Sequence, residues 1–435
     1  MMSPARRFLF LAWTWLLLGV AAALWPSLEI AWIASGWLFL ALLVIDLLLL
    51  CGKMRVELTR DLPSFLALNQ HQEVVLTIRN RHSQAVQLEI YDGLPETMIS
   101  DQLPWSGRLP GRGFAQVSYS LKPLERGPQT LQPAHLRRTS PLGLWQRSWR
   151  LGPLTELKVY PNFEPVIRFN LLTATNRVDQ MGIVSLNRPG VSKEFHQLRD
   201  FQEGDAMSQI DWKATSRRAS LISREYRQQR DQTIILAVDC GRRMRAMDGE
   251  LSQFDHALNS VLLLAHIALR QGDSVGITGI GSQSRWLPPV KGSHMMPVLL
   301  NHLYDYQSTS EPTDFSEAAQ RLMIQQRRRA LIVFITNLRS EDTAHLLGPL
   351  HELRKKHLVI LATLREQSLQ EFQSRPPATL DDAVTCAATH LYLEERATML
   401  TSLRRQRLQL VDASAQELPL ALVNRYLEIK KAGRL

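Results

Sequence analysis

The chain opens on two long apolar stretches and then changes to a finer alternation. Phe8 to Leu24 is apolar except for Thr14, and Ile30 to Cys51 is interrupted only by a few small or polar residues and Asp46. At about 1.5 Å of helical rise per residue, each stretch approaches or exceeds the roughly 30 Å of hydrocarbon in a bilayer. Trp25-Pro26-Ser27-Leu28-Glu29 supplies a turn between them without Lys or Arg. The pattern predicts a transmembrane hairpin over residues 1–53, with helices near 8–25 and 30–51. Arg6 and Arg7 precede the first helix, and Lys53 and Arg55 follow the second. The positive-inside rule then puts both ends in the cytoplasm. A cleaved signal peptide ending near Ala21-Ala22-Ala23 competes with this reading. The second apolar run follows at once, however, and Lys53 and Arg55 would keep the main body inside either way. Asp46 lies within a helical turn or two of the charged end, so its carboxylate is expected near the interface, paired with Arg7.

From residue 54 to about 161 the period shortens to two. Glu73 to Asn80, Ala85 to Tyr91 and Phe114 to Leu121 read as strands, with Gly127 to Leu136 and Leu157 to Tyr160 as further ones. Asn80-Arg81-His82-Ser83 and Asp92-Gly93-Leu94-Pro95 read as turns between them. Short strands at even spacing, separated by Gly, Pro and Asn, predict a β-sandwich-like domain. A linker is expected over 162–187 and an α/β domain over 188–435. There Thr233 to Val238, Ser274 to Ile280, Ala330 to Thr336, Leu358 to Thr363 and Leu408 to Val411 are apolar runs of strand length. Helical spacing falls between them, over Phe254 to Arg270, Asp342 to Lys355 and Ala415 to Lys430. This alternation predicts a mostly parallel sheet covered on both faces, with binding at the carboxyl ends of its strands. Asp239 and Thr336-Asn337 stand at that edge.

Composition adds little that changes this picture. The formal charge is +10, from 51 Lys and Arg against 41 Asp and Glu, in short scattered clusters without a nucleic-acid recognition motif. A positive balance suits the inner face of an anionic membrane, so membrane lipid rather than nucleic acid is the expected polyanion. Cys51, Cys240 and Cys386 are far apart and without CxxC or His spacing, which excludes a disulfide framework or a zinc site and fits a reducing compartment.

One stretch carries a resemblance. Ser192-Lys193-Glu194-Phe195-His196-Gln197-Leu198-Arg199-Asp200-Phe201-Gln202-Glu203-Gly204-Asp205, continued by Ile210-Asp211-Trp212-Lys213-Ala214-Thr215-Ser216-Arg217 and Leu221-Ile222-Ser223-Arg224-Glu225, resembles the signature of the domain-of-unknown-function fifty-eight family. Those are membrane proteins with a von Willebrand A-like domain, often encoded beside MoxR-type AAA+ ATPases. The resemblance implies a von Willebrand A-like α/β fold after a β-sandwich-like domain and a two-helix hairpin. It further implies a place at the bacterial inner membrane, a MoxR-type ATPase as partner and an envelope or membrane protein as client. Within the signature at 190–225, Gly204-Asp205 reads as a turn. Glu194, Arg199, Asp205, Asp211 and Arg217 are expected to form one ionic network beside the Asp239 edge. Trp212, with Lys213, Arg217, Arg224 and Glu225 around it, reads either as part of a salt-bridged brace or as an interface anchor.

Domains of the von Willebrand A type usually hold a divalent cation on a D-x-S-x-S loop completed by a Thr and an Asp from later loops. Magnesium asks for hard oxygen donors in octahedral array. Here the loop reads Asp239-Cys240-Gly241-Arg242-Arg243, so Gly241 and Arg243 replace the two hydroxyls, and Asn337 replaces the second carboxylate. Thr313 suits either the remaining hydroxyl position or a helix N-cap. No cofactor is therefore expected, with Arg242 or Arg243 pairing Asp239 where a metal would sit. Cys240 between Asp239 and two arginines leaves a hydrolase or ligand-binding enzyme at the Asp239, Cys240 and Asn337 edge as the alternative. No His lies in a pattern that would serve such a nucleophile, and Walker, GxSxG and HExxH motifs are missing. The function expected is a non-enzymatic adaptor or scaffold at the membrane.

Overall fold

The structure is a computed structural model describing residues 2–51, 56–63, 65–164, 166, 194–202, 205, 207–227, 232–281, 283–339, 343–367, 369 and 377–434. Two compact units divide the chain, Met1–Tyr160 and Pro161–Leu435. The expected linker lies almost wholly outside the described residues, as do Ser192, Lys193 and Gly204.

The first unit begins with a short strand, β1 (Met2–Pro4), followed by helices α1 (Arg6–Leu24) and α2 (Glu29–Leu50). Both helices are long and apolar enough to cross a membrane. Apart from Asp46 and Leu50, their side chains are not buried, and Phe10, Trp13, Leu24, Ile30, Trp37 and Leu48 all stand exposed. An apolar helix turned outward over its length wants an apolar surround that this unit does not itself supply. The two helices meet through Trp15 and Trp32, whose rings stack 5.4 Å apart, with the Trp15 indole N–H donating to the Trp32 carbonyl at 3.3 Å. Gly19 and Gly36 leave room for those rings; a Cβ at Gly19 would stand 2.8 Å from the Trp32 indole nitrogen.

The rest of this unit is antiparallel β-structure apart from one short parallel pairing. Strands β2 (Val56–Asp61), β4 (Gln72–Asn80), β6 (Met98–Ser100) and β8 (Phe114–Pro123) form one sheet in the order β2-β4-β8-β6. The other contains β1, β3 (Leu66–Ala67), β5 (Val86–Gly93), β7 (Trp105–Leu109), β9 (Gly127–Thr139), β10 (Trp145–Leu151) and β11 (Thr155–Tyr160), with the long β9 pairing β5, β10 and β11. Alternate residues point inward: Val74, Leu76 and Ile78 on β4, Leu88 and Ile90 on β5, Val117, Tyr119 and Leu121 on β8. Period-two patterning thus located β4, β5, β8, β9 and β11. It missed β2, β7 and β10, where Arg, Gly, Ser and Trp fall on inward-facing or half-buried positions.

Asp92, read from the sequence as part of a turn, is instead the next-to-last residue of β5 and fully buried. It takes a bidentate ion pair from Arg60 of β2 and the Tyr119 hydroxyl of β8 at 2.5 Å. Arg60 also donates to Thr155 Oγ1 and the Gln132 carbonyl, each at 3.0 Å. One knot therefore ties the two sheets together across the core. Burial, and then the Asp92 carboxylate, push the Tyr119 phenol well above its ordinary range.

The expected Asp46–Arg7 ion pair does not form. Asp46 accepts from Ser140 Oγ at 2.5 Å, Leu142 N at 3.0 Å and Leu144 N at 3.1 Å, all in the turn between β9 and β10. Those three donors occupy both carboxylate oxygens, and the carboxylate is fully buried. Arg7 instead donates to the Leu142 carbonyl at 3.5 Å. The same turn is held by Trp145, whose indole N–H reaches the Leu43 carbonyl at 3.1 Å and whose ring lies 5.6 Å from that of Phe8.

In the second unit a six-stranded sheet runs β18-β17-β14-β19-β20-β21. Its members are β14 (Thr233–Asp239), β17 (Ser274–Ile280), β18 (Trp286–Lys291), β19 (Leu331–Thr336), β20 (Leu358–Arg365) and β21 (Gln409–Ser414). All neighbours are parallel except β18, which runs antiparallel at one edge. Ile234, Leu236 and Val238 pack on one face with α4 (Gln253–Arg270), α5 (Met296–Leu303) and α9 (Leu418–Lys431). Ile235 and Ala237 pack on the other with α6 (Phe315–Gln325), α7 (Thr343–Arg354) and α8 (Leu380–Arg405). A continuous apolar run is what a strand buried on both faces requires. The sequence reading passed over β18, α5 and α8. The apolar residues of α8 are spread around it rather than gathered on one face, yet it starts on a capping box of Thr379 and Asp382 that was legible.

Candidate functional site

The carboxyl ends of β14 and β19 lie side by side, because Val238 is in register with Ile335. The next residues along, Asp239 and Thr336, therefore meet at the sheet edge. Asp239 is buried, and Thr336 Oγ1 donates to its Oδ2 at 2.6 Å. Its Oδ1 accepts from the Thr313 hydroxyl and from Gly241 N at 2.8 Å. Neither Arg242 nor Arg243 pairs with Asp239, which corrects the expected ion pair. Two hydroxyls and one amide fill the carboxylate's near field, and the Arg242–Arg245 turn starts beyond it, its first N–H donating to the Glu311 carbonyl at 2.9 Å.

Thr313 is not the N-cap of α6. Asp314 takes that role, accepting from Ser316 N at 2.8 Å and Glu317 N at 3.1 Å, which leaves the Thr313 hydroxyl for Asp239. Gly241 is what lets it approach, since a Cβ there would collide with the Thr313 hydroxyl and come within 3.1 Å of Asp239 Oδ1. Gly241→Ser, which restores a hydroxyl to the loop, is expected to lower the stability of this unit by about 1–3 kcal/mol through overpacking. Urea unfolding of wild type and variant checks this; equal midpoints would mean that Thr313 is not wedged there.

Asn337 is buried. Its Nδ2 donates to Glu366 Oε1 at 2.8 Å, while its Oδ1 has no hydrogen-bond partner among the described residues. Cys240 is fully buried, its thiol donating to the Val238 carbonyl at 3.5 Å. Beyond this rim, Arg396 of α8 donates to Asp412 at 2.8 Å, Leu364 O at 3.0 Å and Thr363 Oγ1 at 3.2 Å. Tyr392, one turn earlier, has its phenol raised above the ordinary value, first by burial and then by Glu366, against the pull of Arg339, Arg396 and Arg243. The edge is polar and crowded with both signs of charge. Arg396 and Tyr392 were missed in the sequence, since no local period places a residue of a distant helix over a strand end.

The signature segment forms its own small sheet, β12 (Glu194–Asp200) paired antiparallel with β13 (Ile222–Arg227), bridged by the short helix α3 (Trp212–Arg218). Of the five-residue ionic network expected there, Arg199 and Asp205 pair among the described residues, and Asp211 pairs with Arg224 from outside the five. Arg199 donates to Asp205 at 2.7 Å, and Arg224 to Asp211 at 2.9 Å. Each carboxylate has also been claimed by local backbone. Asp205 takes Gln202 N, and Asp211 caps α3 through Lys213 N and Ala214 N. The Gln202 N–H, then Arg199, hold the Asp205 carboxyl below the usual range; for Asp211 the Arg224 guanidinium leads. Arg217 is exposed and joins neither pair, and the side chains of Glu194 and Glu225 lie outside the described residues. Trp212 is 65% and Met207 76% exposed. On α3 the Trp212, Lys213 and Arg217 side chains share one outward arc.

Comparisons agree with this segment's place in the chain. Residues 197–408 match the family described as protein of unknown function DUF58. An uncharacterized protein, YeaD of Bacillus subtilis (strain 168), is 25% identical over 233 residues, covering 53% of this chain and 55% of its own. The chain thus spans about half the length of the curated relative it matches. Among solved structures, native alpha-2-macroglobulin from Escherichia coli, from domain MG7 to the C-terminus, aligns with a TM-score of 0.22 at 15% identity, over 25% of this chain and 17% of that one. A CARDB domain from Pyrococcus furiosus, in complex with di-metal ions, aligns with a TM-score of 0.17 at 10% identity, over 24% of this chain and 93% of that one.

Proposed function

We propose, from the premise that residues 197–408 make this chain a member of the DUF58 family of proteins of unknown function, that it is a membrane-anchored adaptor. Its α/β unit is read as a von Willebrand A-like domain presented at the cytoplasmic face of a bacterial inner membrane. Support for the anchor comes from α1 and α2, whose apolar side chains face outward. Strand β1, just before α1, pairs with β10 of the same unit that continues from α2, so the hairpin enters and leaves on one side. Support for the von Willebrand A reading is the parallel sheet with one antiparallel edge strand and an Asp at the end of its central strand.

The observation that carries the adaptor reading is the exposed Trp212 with Lys213 and Arg217 beside it. A large aromatic left in solvent on a short helix that also exposes two cations is the composition of an interface anchor. The partner implied by family resemblance is a MoxR-type AAA+ ATPase, acting on an envelope or membrane client. No divalent ion is proposed at Asp239, since a lone carboxylate with two threonine hydroxyls, beside a Gly241 N–H that cannot ligate, is a weak magnesium donor set. The enzyme alternative has less behind it, because the Cys240 thiol is buried and bonded to a carbonyl.

The test is affinity purification of the full chain from detergent-solubilised membranes, with and without ATP, comparing wild type with Trp212→Ala. An AAA+ ATPase recovered with wild type and reduced roughly tenfold or more in the variant is the expected result, as truncation of an anchor aromatic costs about 2 kcal/mol. An ATPase bound equally by both would remove Trp212 from the docking surface. A preparation free of any ATPase under both conditions would overturn the adaptor reading.

A further inference from the structure

Strand β10 sets large aromatic and cationic side chains on one face. Trp145, Arg147 and Trp149 alternate along it and therefore share one face of the sheet. Arg147 is directly opposite Arg138 of β9, with Trp149 opposite Leu136. Cross-strand partners of this kind have Cβ atoms roughly 5 Å apart, and like charges so placed repel. Both arginines are half-buried, and neither has a carboxylate within ion-pair distance among the described residues. Burial, together with Arg147, lowers the Arg138 pKa, so each guanidinium is in the other's field. The nearby Glu89 is taken by Arg137, which alternation puts on the opposite face. Two cations held together under partial cover need an anion to be stable.

Their place in the unit says which anion. Trp145 touches Phe8 of α1 and the backbone of α2, and the turn after Arg138 is the one seated on Asp46. Arg147 pairs with Met2, four residues before α1 begins. Four residues at roughly 3.3 Å each put the arginine pair a short way outside the apolar span, within side-chain reach of the headgroup layer that borders the hydrocarbon. Tryptophans flanking an arginine at that depth are the composition of a membrane interface. Guanidinium pairs match phosphate geometry with parallel N–H donors.

We propose that Arg138 and Arg147 form a site for the phosphate of an anionic phospholipid, walled by Trp145 and Trp149. Occupation neutralises the repelling pair and fixes the β9–β10 turn against the bilayer. The inference rests on the membrane-anchor reading, and the experiment separates the two.

The full chain, extracted in mild detergent, is examined by native mass spectrometry after incubation with phosphatidylglycerol or phosphatidylcholine. Wild type is expected to retain phosphatidylglycerol roughly tenfold over phosphatidylcholine, two surface arginines being worth about this much or more toward an anionic lipid. Arg138→Gln with Arg147→Gln is expected to bring the two lipids to parity, while Arg138→Lys with Arg147→Lys keeps part of the preference and controls for folding. Equal retention by wild type, or a preference unchanged in the glutamine variant, overturns the site. Displacement of the lipid by millimolar glycerol phosphate overturns its assignment to lipid in favour of a soluble phosphate. A chain that stays in the aqueous fraction without detergent overturns the anchor reading instead.

Discussion

Asp92→Ala is expected to lower the unfolding free energy of the Met1–Tyr160 unit by about 3–5 kcal/mol, the usual cost of stripping one partner from a buried ion pair. Arg60 and Asp92 have side-chain exposures of 3% and 0%. Removing the carboxylate leaves a guanidinium in the core with only Thr155 Oγ1 and the Gln132 carbonyl, and it leaves the Tyr119 hydroxyl without its acceptor. The cost is a desolvation cost, so removing all three polar groups should relieve it. Arg60→Met, Asp92→Leu and Tyr119→Phe combined is expected to recover most of the loss, because well-packed apolar replacements of buried ion pairs are often neutral or better. Hydrogen exchange of the β4 and β8 amides in the full chain reads the change directly. A single variant with wild-type protection would mean that water reaches the pair and that the knot contributes little.

The second large effect is expected at Asp46→Ala, at about 3 kcal/mol. The substitution leaves the Ser140 hydroxyl and the N–H groups of Leu142 and Leu144 without their acceptor, and buried donors of this kind cost about 1–3 kcal/mol apiece. The variant should show faster exchange at Leu142 and Leu144 and a looser β9–β10 turn in detergent or bicelles. Arg7→Gln should change these amides little, since Arg7 reaches only the Leu142 carbonyl, at 3.5 Å. The opposite ranking, with Arg7→Gln the more damaging, would return the direct ion pair to consideration.

Both sites show where reading along the chain stops. Asp46 was legible as an ionisable residue in an apolar helix, and its need for a partner followed from the cost of burying a charge. Which partner it takes did not follow. Arg7 was the nearest cation in the expected hairpin, yet the acceptor is satisfied by a turn 94 residues on. Asp239 repeats the lesson. Its position at a strand end was legible from the apolar run before it, and so was the lack of a hydroxyl at Gly241 and Arg243 in the loop that follows. The sequence suggested guanidinium as the substitute; the fold supplies hydroxyls from 74 and 97 residues away. The signature segment was recognisable from its spacing, but its charges proved to serve local caps as much as one another. Arg138 and Arg147 attracted no notice, because a like-charged pair becomes visible only when two strands come into register.

What the sequence by itself determined are the elements whose burial is periodic: the two apolar helices, the longest antiparallel strands, and the central strands and helices of the second unit. Local patterning suffices there because each side chain's exposure follows from its own element's geometry. Only the tertiary structure decided the order of the sheets, the packing of α8 over the β20 and β21 ends, and every polar partnership of Asp46, Asp92 and Asp239. Those depend on groups far apart in the chain, chosen by which donors remain unsatisfied once the apolar faces have closed, and no period in the sequence records that choice.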